Sequence, residues 1–215
     1  MISGLLVWED NETRTAPEQM ALDEALLHRA RCPVARFYRW AVPAVTFGYA
    51  QRYADVRARA GSRPAVRRPT GGGIVFHRED LTVAVAVPAS HEICRLETGM
   101  VYRRIHEALL GAVERVCPGA RLAKPGDCRA GPACFESPAL NDILHAGRKI
   151  CGGALRRGRI GLLYQGSLHG NFSALALAKS LAGPVDFFNP GGDLLREAWR
   201  LESEKYGTEA WNQMR

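Results

Sequence analysis

The sequence lacks the cysteine patterns that indicate zinc sites, redox dithiols or disulfide frameworks. It has six cysteines in 215 residues, and no two of them have the Cys-x-x-Cys spacing of a zinc or redox motif. We therefore predict that the protein binds no zinc and that its cysteines are reduced.

Long apolar runs and targeting segments are also missing. The longest apolar runs, such as Leu81 to Pro88, are far too short to span a bilayer. The first residues, MISGLLVWEDNETR, have no basic start and become acidic early, unlike a secretory signal. These absences predict a cytoplasmic protein with no membrane partner.

Blocks of like charge are absent, although the chain is basic overall. Lysine and arginine exceed aspartate and glutamate by 29 − 22 = 7, and the positive charges are spread along the sequence. A nucleic-acid-binding protein would interleave aromatic and basic residues or carry a recognisable binding module, and the sequence has neither. The remaining alternatives are an acidic protein partner, an anionic small-molecule partner, or a solvated surface that happens to be basic.

No internal repeat, low-complexity tract or linker divides the chain. We expect one domain over residues 1–215, with a mostly helical tail from about residue 173 and no separate accessory domain. The elements alternate irregularly, which favours an α/β fold with a mixed sheet flanked by helices over a doubly wound fold. Helices are predicted at about 15–30, 53–60 and 97–116, and strands at 35–40, 44–48, 74–77, 81–87, 141–145, 148–155 and 161–168.

The most informative segment is glycine-rich and runs from Arg67 to His77 as RRPTGGGIVFH. Three consecutive glycines between predicted strands allow a ligand to come close, and their N–H groups can together bind an anion. Arg67 and Arg68 add forked cationic donors that suit a carboxylate or a phosphate. A plain hairpin turn with solvated arginines would give the same pattern. The segment is neither a Walker A loop nor a Rossmann fingerprint.

A second segment, from Asn141 to Leu168, has Lys149 in a predicted strand. A lysine there can extend to water, or it can point into a pocket and neutralise a phosphate or polarise a carbonyl oxygen. Neighbouring glycines such as Gly152 leave room for a ligand beside the strand. Asp142 is a candidate Mg²⁺ contact, because that ion binds carboxylates together with phosphate oxygens.

A third segment, WAVPAVTFGYAQ, runs from Trp40 to Gln51 and could line a slot for a chain-like apolar ligand, or be plain core. Together the three segments resemble the catalytic domain of the lipoate–protein ligase family, which includes octanoyltransferases and biotin ligases. The family pattern is an aromatic segment ending in Gly-x-x-Gln, then Arg-Arg-x-Ser/Thr-Gly-Gly-Gly-x-Val-x-His, then Asn-Asp shortly before Gly-x-Lys-x-x-Gly. Order and spacing match over about residues 15–185. The resemblance implies a mixed sheet flanked by helices, similar to class II aminoacyl-tRNA synthetase cores.

The activity that the resemblance first implies is an ATP-dependent lipoate–protein ligase. Such an enzyme uses ATP and Mg²⁺ to convert lipoate or octanoate to an acyl-adenylate, which a lysine of a carrier domain attacks. Lys149 would be the catalytic residue that holds the activated carbonyl. The nucleotide or adenylate would be bound by Arg67, Arg68, Thr70, Gly71, Gly72, Gly73, His77, Asn141, Asp142 and Gly152, the acyl chain by Trp40, Gly48 and Gln51, and Mg²⁺ by Asp142.

A cysteine-dependent octanoyltransferase is the alternative. The segment ACFESP around Cys134 is similar to the one in which some octanoyltransferases of the family carry a catalytic cysteine. Those enzymes need no ATP, because the cysteine takes octanoyl from acyl carrier protein and passes it to the carrier lysine. The Asn141-Asp142 pair favours the ligase, and the lack of an accessory domain favours the transferase. A biotin ligase and a non-catalytic partner-binding domain are weaker alternatives, the latter because Lys149 and the glycine segment are both intact.

The resemblance also implies a macromolecular partner. This would be a lipoyl carrier domain, such as that of a 2-oxoacid dehydrogenase acyltransferase subunit or the glycine-cleavage carrier protein. Acyl carrier protein would be a second partner of a transferase, and a separate accessory subunit could also be required. The net positive charge would speed encounter with an acidic carrier.

Overall fold

The structure is a computed structural model that describes residues 2–40, 42–128 and 137–214. Its framework is an eight-stranded mixed sheet flanked by helices, beside a three-stranded sheet. The prediction of a mixed α/β fold is therefore confirmed. No helix in the described part of the chain has the length and apolar composition needed to cross a membrane.

The first unit of the large sheet is parallel and has a helix between its strands. Strand β1 (Leu6–Asp10) pairs along its whole length with β2 (Val34–Arg39), and α1 (Ala16–Arg29) connects them. The predicted capping box begins α1: the Thr15 hydroxyl accepts the N–H of Glu18, and the Glu18 carboxylate accepts the N–H of Thr15. The sequence prediction missed β1.

The small sheet carries the glycine-rich segment. It is formed by β3 (Ala44–Phe47), β4 (Ala65–Arg67) and β5 (Val75–His77), in the order β4-β3-β5. Helix α2 (Tyr53–Ala60) connects β3 to β4. The segment between β4 and β5 is therefore anchored by a strand at each end.

The rest of the large sheet is antiparallel from β2 onward. Strand β6 (Leu81–Pro88) pairs with β2 and with β10 (Gly161–Leu168), and β10 pairs with β9 (Arg148–Gly158). Two short strands, β7 (Arg121–Leu122) and β8 (Ile143–His145), complete that edge, and α3 (Thr98–Val113) precedes them. Strand β8 starts later than predicted because Asn141 has φ 69°, which breaks an extended chain.

The C-terminal part is mostly helical and also contributes a strand. It comprises α4 (Ala174–Ala182), β11 (Asp186–Phe187), α5 (Gly192–Leu201), a π-helical turn (Glu202–Tyr206) and α6 (Glu209–Asn212). Strand β11 pairs with β1 at the edge of the large sheet. Apolar residues of α3 and α4 cover one face of the sheet, and those of α1 and α5 cover the other.

Candidate active site

A pocket of about 400 Å³, including its open mouth, lies between the two sheets. Its walls combine apolar side chains, glycine backbone and a few polar groups, which is the usual composition of a small-molecule site. The lining residues are Met20, Tyr38, Trp40, Thr46, Arg68, Gly72, Val75, His77, Thr82, Gly152, Gly153, Ala154, Gln165, Gly166 and Ser167. The pocket therefore brings together parts of all three segments identified from the sequence.

One wall is a buried hydrogen-bonded chain centred on His77. Its Nδ1 lies 2.8 Å from Asp80 Oδ2, and its Nε2 lies 2.8 Å from the Thr46 hydroxyl. Arg68 donates to that same hydroxyl over 2.8 Å, so the hydroxyl hydrogen is available to Nε2. The ring of Trp40 stacks on His77 with centroids 3.9 Å apart. This arrangement fixes His77 as part of the wall.

Electrostatics favour a neutral His77 beside an ionised Asp80. Burial lowers the pKa of His77, against the opposing effect of Asp80. Burial alone would raise the pKa of Asp80, but hydrogen bonds from His77 and Ser167 hold it at about 2. The pair therefore keeps one negative charge and an orienting N–H at neutral pH.

The glycine-rich segment is held by Arg68 and by a close backbone contact. Arg68 donates to the carbonyl oxygens of Gly71 and Gly73, both over 2.9 Å. A Cβ atom at Gly48 would overlap the carbonyl oxygen of Gly72, so only glycine fits there. Gly72 has φ 87°, a conformation that favours glycine. The predicted role of Arg68 as a pocket residue is thus combined with a structural one.

Thr70 connects the same segment to the large sheet. Its hydroxyl donates to Gln165 Oε1 over 2.7 Å, and Gln165 Nε2 donates to Asp23 over 2.7 Å. Asp23 also forms a fully buried ion pair with Arg36 at 2.7 Å. The position of Thr70 therefore depends on a buried charged network reaching α1 and β2.

Lys149 is buried next to the pocket and forms an ion pair with Asp142. Its Nζ lies 2.8 Å from Asp142 Oδ2, and both side chains are almost inaccessible to water. The lysine side chain crosses Gly152 so closely that a Cβ atom there would overlap it. Since Gly152 lines the pocket, the ammonium group lies directly behind the pocket wall.

Two tyrosines, which the sequence interpretation did not single out as site residues, complete this side. Tyr102 donates its hydroxyl to Asp142 Oδ1 and accepts the N–H of Gly153 over 3.0 Å. Tyr164 occupies the space that side chains at Gly153 and Gly166 would fill. These glycines therefore make room for a buried aromatic ring as well as for a ligand.

Several predicted site residues lie away from the pocket lining. Arg67 is fully buried and donates to the carbonyl oxygens of Tyr49, Gln51, Trp211 and Asn212. Gln51 accepts the N–H of Gly48 over 2.9 Å, which closes a turn. The structure thus gives Arg67, Gln51 and the left-handed Asn141 roles in holding loops.

The predicted Mg²⁺ contact is already engaged with protein groups. Asp142 accepts from Lys149, Tyr102 and, over 2.6 Å, the N–H of Ala139. Within the described residues, no group of three or more His, Cys, Asp or Glu side chains could hold a metal ion. Cys134, the predicted nucleophile of a transferase, lies outside the described residues.

Comparison with known proteins identifies the family. The pattern described as the lipoyl protein ligase A/B catalytic domain matches residues 15–190. The chain belongs to this family. An octanoyltransferase LipM from Symbiobacterium thermophilum is 38% identical over 176 residues, which are 74% of this chain and 63% of that protein. A LipM from Kyrpidia tusciae is 32% identical over 187 residues, covering 80% and 68% of the two chains. The match with the first relative thus spans less than two thirds of that relative's length.

Solved structures of family members share the fold. A lipoate-protein ligase A bound with ATP superposes with a TM-score of 0.73 at 22% identity, covering 99% of each chain. A structure described as a bi-partite lipoate protein ligase and its E2 lipoyl domain from Thermoplasma acidophilum gives a TM-score of 0.69 at 20% identity, covering 99% of this chain and 97% of that one. At such low identity these similarities establish the fold alone.

The expectation of an ATP-dependent lipoate ligase is wrong. Several relatives at 32–38% identity are named octanoyltransferase LipM, whereas the solved lipoate-protein ligase A matches at 22% identity, which establishes the fold alone. The alternative reading, a transferase, is the better supported of the two.

Proposed function

We propose that the protein is a cysteine-dependent octanoyltransferase, which moves an octanoyl group from acyl carrier protein to a lysine of a lipoyl domain. The observation that carries this proposal is the 32–38% identity to proteins named octanoyltransferase LipM. The description of a structural neighbour as a bi-partite lipoate protein ligase and its E2 lipoyl domain, within a lipoylation system, supports a lipoyl domain as the acceptor.

In the proposed first step the thiolate of Cys134 attacks the thioester carbonyl of the octanoyl donor. The carbon–sulfur bond to the carrier breaks, the carrier thiolate leaves and takes a proton, and octanoyl is held on Cys134 as a new thioester. In the second step the neutral amine of the lipoyl-domain lysine attacks that thioester. An amide forms, the amine loses a proton, and the Cys134 thiolate is released.

The described residues suit this chemistry in two respects. The pocket between the sheets has apolar walls, including Met20, Trp40 and Val75, that can hold an eight-carbon chain. The ammonium group of Lys149 lies behind Gly152 and can stabilise the negative oxygen that develops on the acyl carbonyl in both steps.

Backbone hydrogen bonds join described residues that precede and follow the segment containing Cys134. Ala123 donates its N–H to the carbonyl of Asp142 over 2.7 Å, and Asn141 donates to the carbonyl of Ala123 over 3.0 Å. These bonds place Ala123, which precedes the segment, next to Asp142, the partner of Lys149. This connectivity supports Cys134 as the residue that works with Lys149.

The test is intact-mass analysis with octanoyl acyl carrier protein and a lipoyl domain in the absence of ATP. We expect one octanoyl group on the enzyme when the acceptor is omitted, and an octanoylated lipoyl domain when it is added. Cys134→Ser should abolish both products, and Cys128→Ser, which changes an exposed cysteine, should retain them. Full activity of Cys134→Ser, or modification that requires ATP, would overturn the proposal.

A further inference from the structure

The carboxylate that pairs with Lys149 is held by a tyrosine from a different element. Tyr102, in the second turn of α3, donates its hydroxyl to Asp142 Oδ1, while Asp142 Oδ2 contacts Lys149 Nζ at 2.8 Å. The same hydroxyl accepts the N–H of Gly153 over 3.0 Å. One oxygen atom thus connects α3, the residue before β8 and the strand that carries Lys149.

The protonated state of Tyr102 is maintained by its surroundings. Burial, and then the neighbouring negative charge of Asp142, raise the pKa of Tyr102 well above its ordinary value. The hydroxyl therefore keeps its proton at neutral pH and remains a donor to Asp142.

We propose that Tyr102 is a positioning residue for Lys149, which fixes the Asp142 carboxylate so that the ammonium group stays behind Gly152 at the pocket wall. This inference rests on the proposed octanoyl transfer. With Oδ1 bound by Tyr102, the carboxylate presents Oδ2 to Lys149. The N–H of Ala139 also binds Oδ2, over 2.6 Å, so the carboxylate is held at both of its oxygens. Without the hydroxyl, Oδ1 is released and the carboxylate can turn about its bonds at Oδ2, which moves the ammonium group. Lys149 then loses the fixed geometry from which it would stabilise the developing oxyanion.

The chain contains a second site with the same three groups, which serves as a matched control. Glu24 Oε2 accepts from the Tyr206 hydroxyl over 2.8 Å and from Lys205 Nζ over 2.6 Å. Tyr206 is fully buried, and neither it nor Lys205 lines the pocket. Each tyrosine-to-phenylalanine change thus removes one hydroxyl from a carboxylate that also binds a lysine.

The first experiment follows the lysines directly by NMR in protein labelled with ¹³C at lysine Cε. The sequence has four lysines, so the spectrum is simple, and Lys149→Arg and Lys205→Arg assign the two relevant signals. Tyr102→Phe should move the Lys149 signal and leave the Lys205 signal unchanged. Tyr206→Phe should do the reverse. An unchanged Lys149 signal in Tyr102→Phe would overturn the proposal.

The second experiment measures steady-state octanoyl transfer. We expect Tyr102→Phe to lower kcat on the order of tenfold, equivalent to about 1.4 kcal/mol in activation free energy, with little change in KM for the octanoyl carrier. Tyr206→Phe should retain the wild-type kcat. A Tyr102→Phe enzyme with wild-type kcat would contradict the proposal. If the wild-type protein transfers no octanoyl group, the proposed function fails, and the Lys149 signal still decides whether Tyr102 positions the lysine.

Discussion

Protonation of His106 should make the fold sensitive to acid. The ring is fully buried, stacks on Tyr102 with centroids 4.1 Å apart, and lies 2.8 Å from the Tyr164 hydroxyl through Nε2. Burial, assisted by the charge of Lys149, lowers the pKa of His106 from 6.5 to about 3. The native state therefore keeps this ring neutral over a pH range in which the unfolded state binds a proton.

The sign and the size of the effect follow from that difference. Above the unfolded pKa, His106 is neutral in both states and stability does not depend on it. As pH falls from 6.5 toward 3, His106 binds a proton in the unfolded state but not in the native state, so the free energy of unfolding falls. At about 1.4 kcal/mol per pH unit, the loss reaches about 3 kcal/mol near pH 4.5.

Urea unfolding near pH 7.5 and near pH 4.5 would measure this loss. We expect His106→Gln to lose about 3 kcal/mol less than the wild type between the two conditions, because its side chain does not titrate. Tyr164→Phe is the control, since it removes the hydrogen bond and keeps the buried imidazole. Its stability should be lower at both pH values, with the wild-type dependence on pH. Equal acid losses in His106→Gln and the wild type would refute the reasoning.

Three further predictions concern the site and its supports. Lys149→Ala should lower the free energy of unfolding by about 3–5 kcal/mol, because it leaves the Asp142 carboxylate buried without its ion-pair partner. Adding Asp142→Asn should restore most of the stability but not the transfer activity. Urea unfolding that shows Lys149→Ala to be as stable as the wild type would contradict this prediction. Gly48→Ala should lower the melting temperature, because its methyl group would overlap the backbone of the glycine-rich segment. Gly71→Ala is the control and should leave the melting temperature unchanged, because its methyl group meets open space. Equal melting temperatures for the two variants would disprove the contact. Arg67→Lys should cost about 3 kcal/mol, because an ammonium group cannot bind four carbonyl oxygens in a fork; an unchanged urea midpoint would count against that role.

The periodic elements and the motif segments were predictable because their signals are local. The capping box at Thr15 predicted the start of α1 correctly, and the apolar runs gave β6 and β10. Strand β1 and the two-residue edge strand β11 were missed, since a few residues of extended chain carry little pattern. Their existence depends on pairing partners that are distant in the sequence.

The sequence predicted those site residues that belong to a motif, but it predicted their individual roles less well. Lys149, Gly152, His77 and Arg68 do lie at or beside one pocket. Arg67 stands next to Arg68 in the same motif, yet it points away because successive residues in extended chain face opposite sides.

The site residues that the sequence did not reveal are brought in by tertiary packing. Tyr102 lies beside the apolar stripe of α3 and shares no motif with Asp142, forty positions away, so no local pattern connects them. Asp80 could have been found, because it follows His77 by three residues in the turn between two strands.

The contacts of Arg67 have a consequence for how the boundary of this family is drawn. The match to the family's sequence pattern ends at residue 190, but the guanidinium group binds carbonyl oxygens at Trp211 and Asn212, beyond that limit. The side chains of the same two residues bind the backbone of Arg67 as well: Asn212 Oδ1 accepts its N–H over 2.8 Å, and Trp211 Nε1 donates to its carbonyl oxygen over 2.9 Å. A fragment cut at the edge of the recognisable similarity would therefore leave a buried cation without two of its acceptors. Sequence comparison would give no warning of that loss.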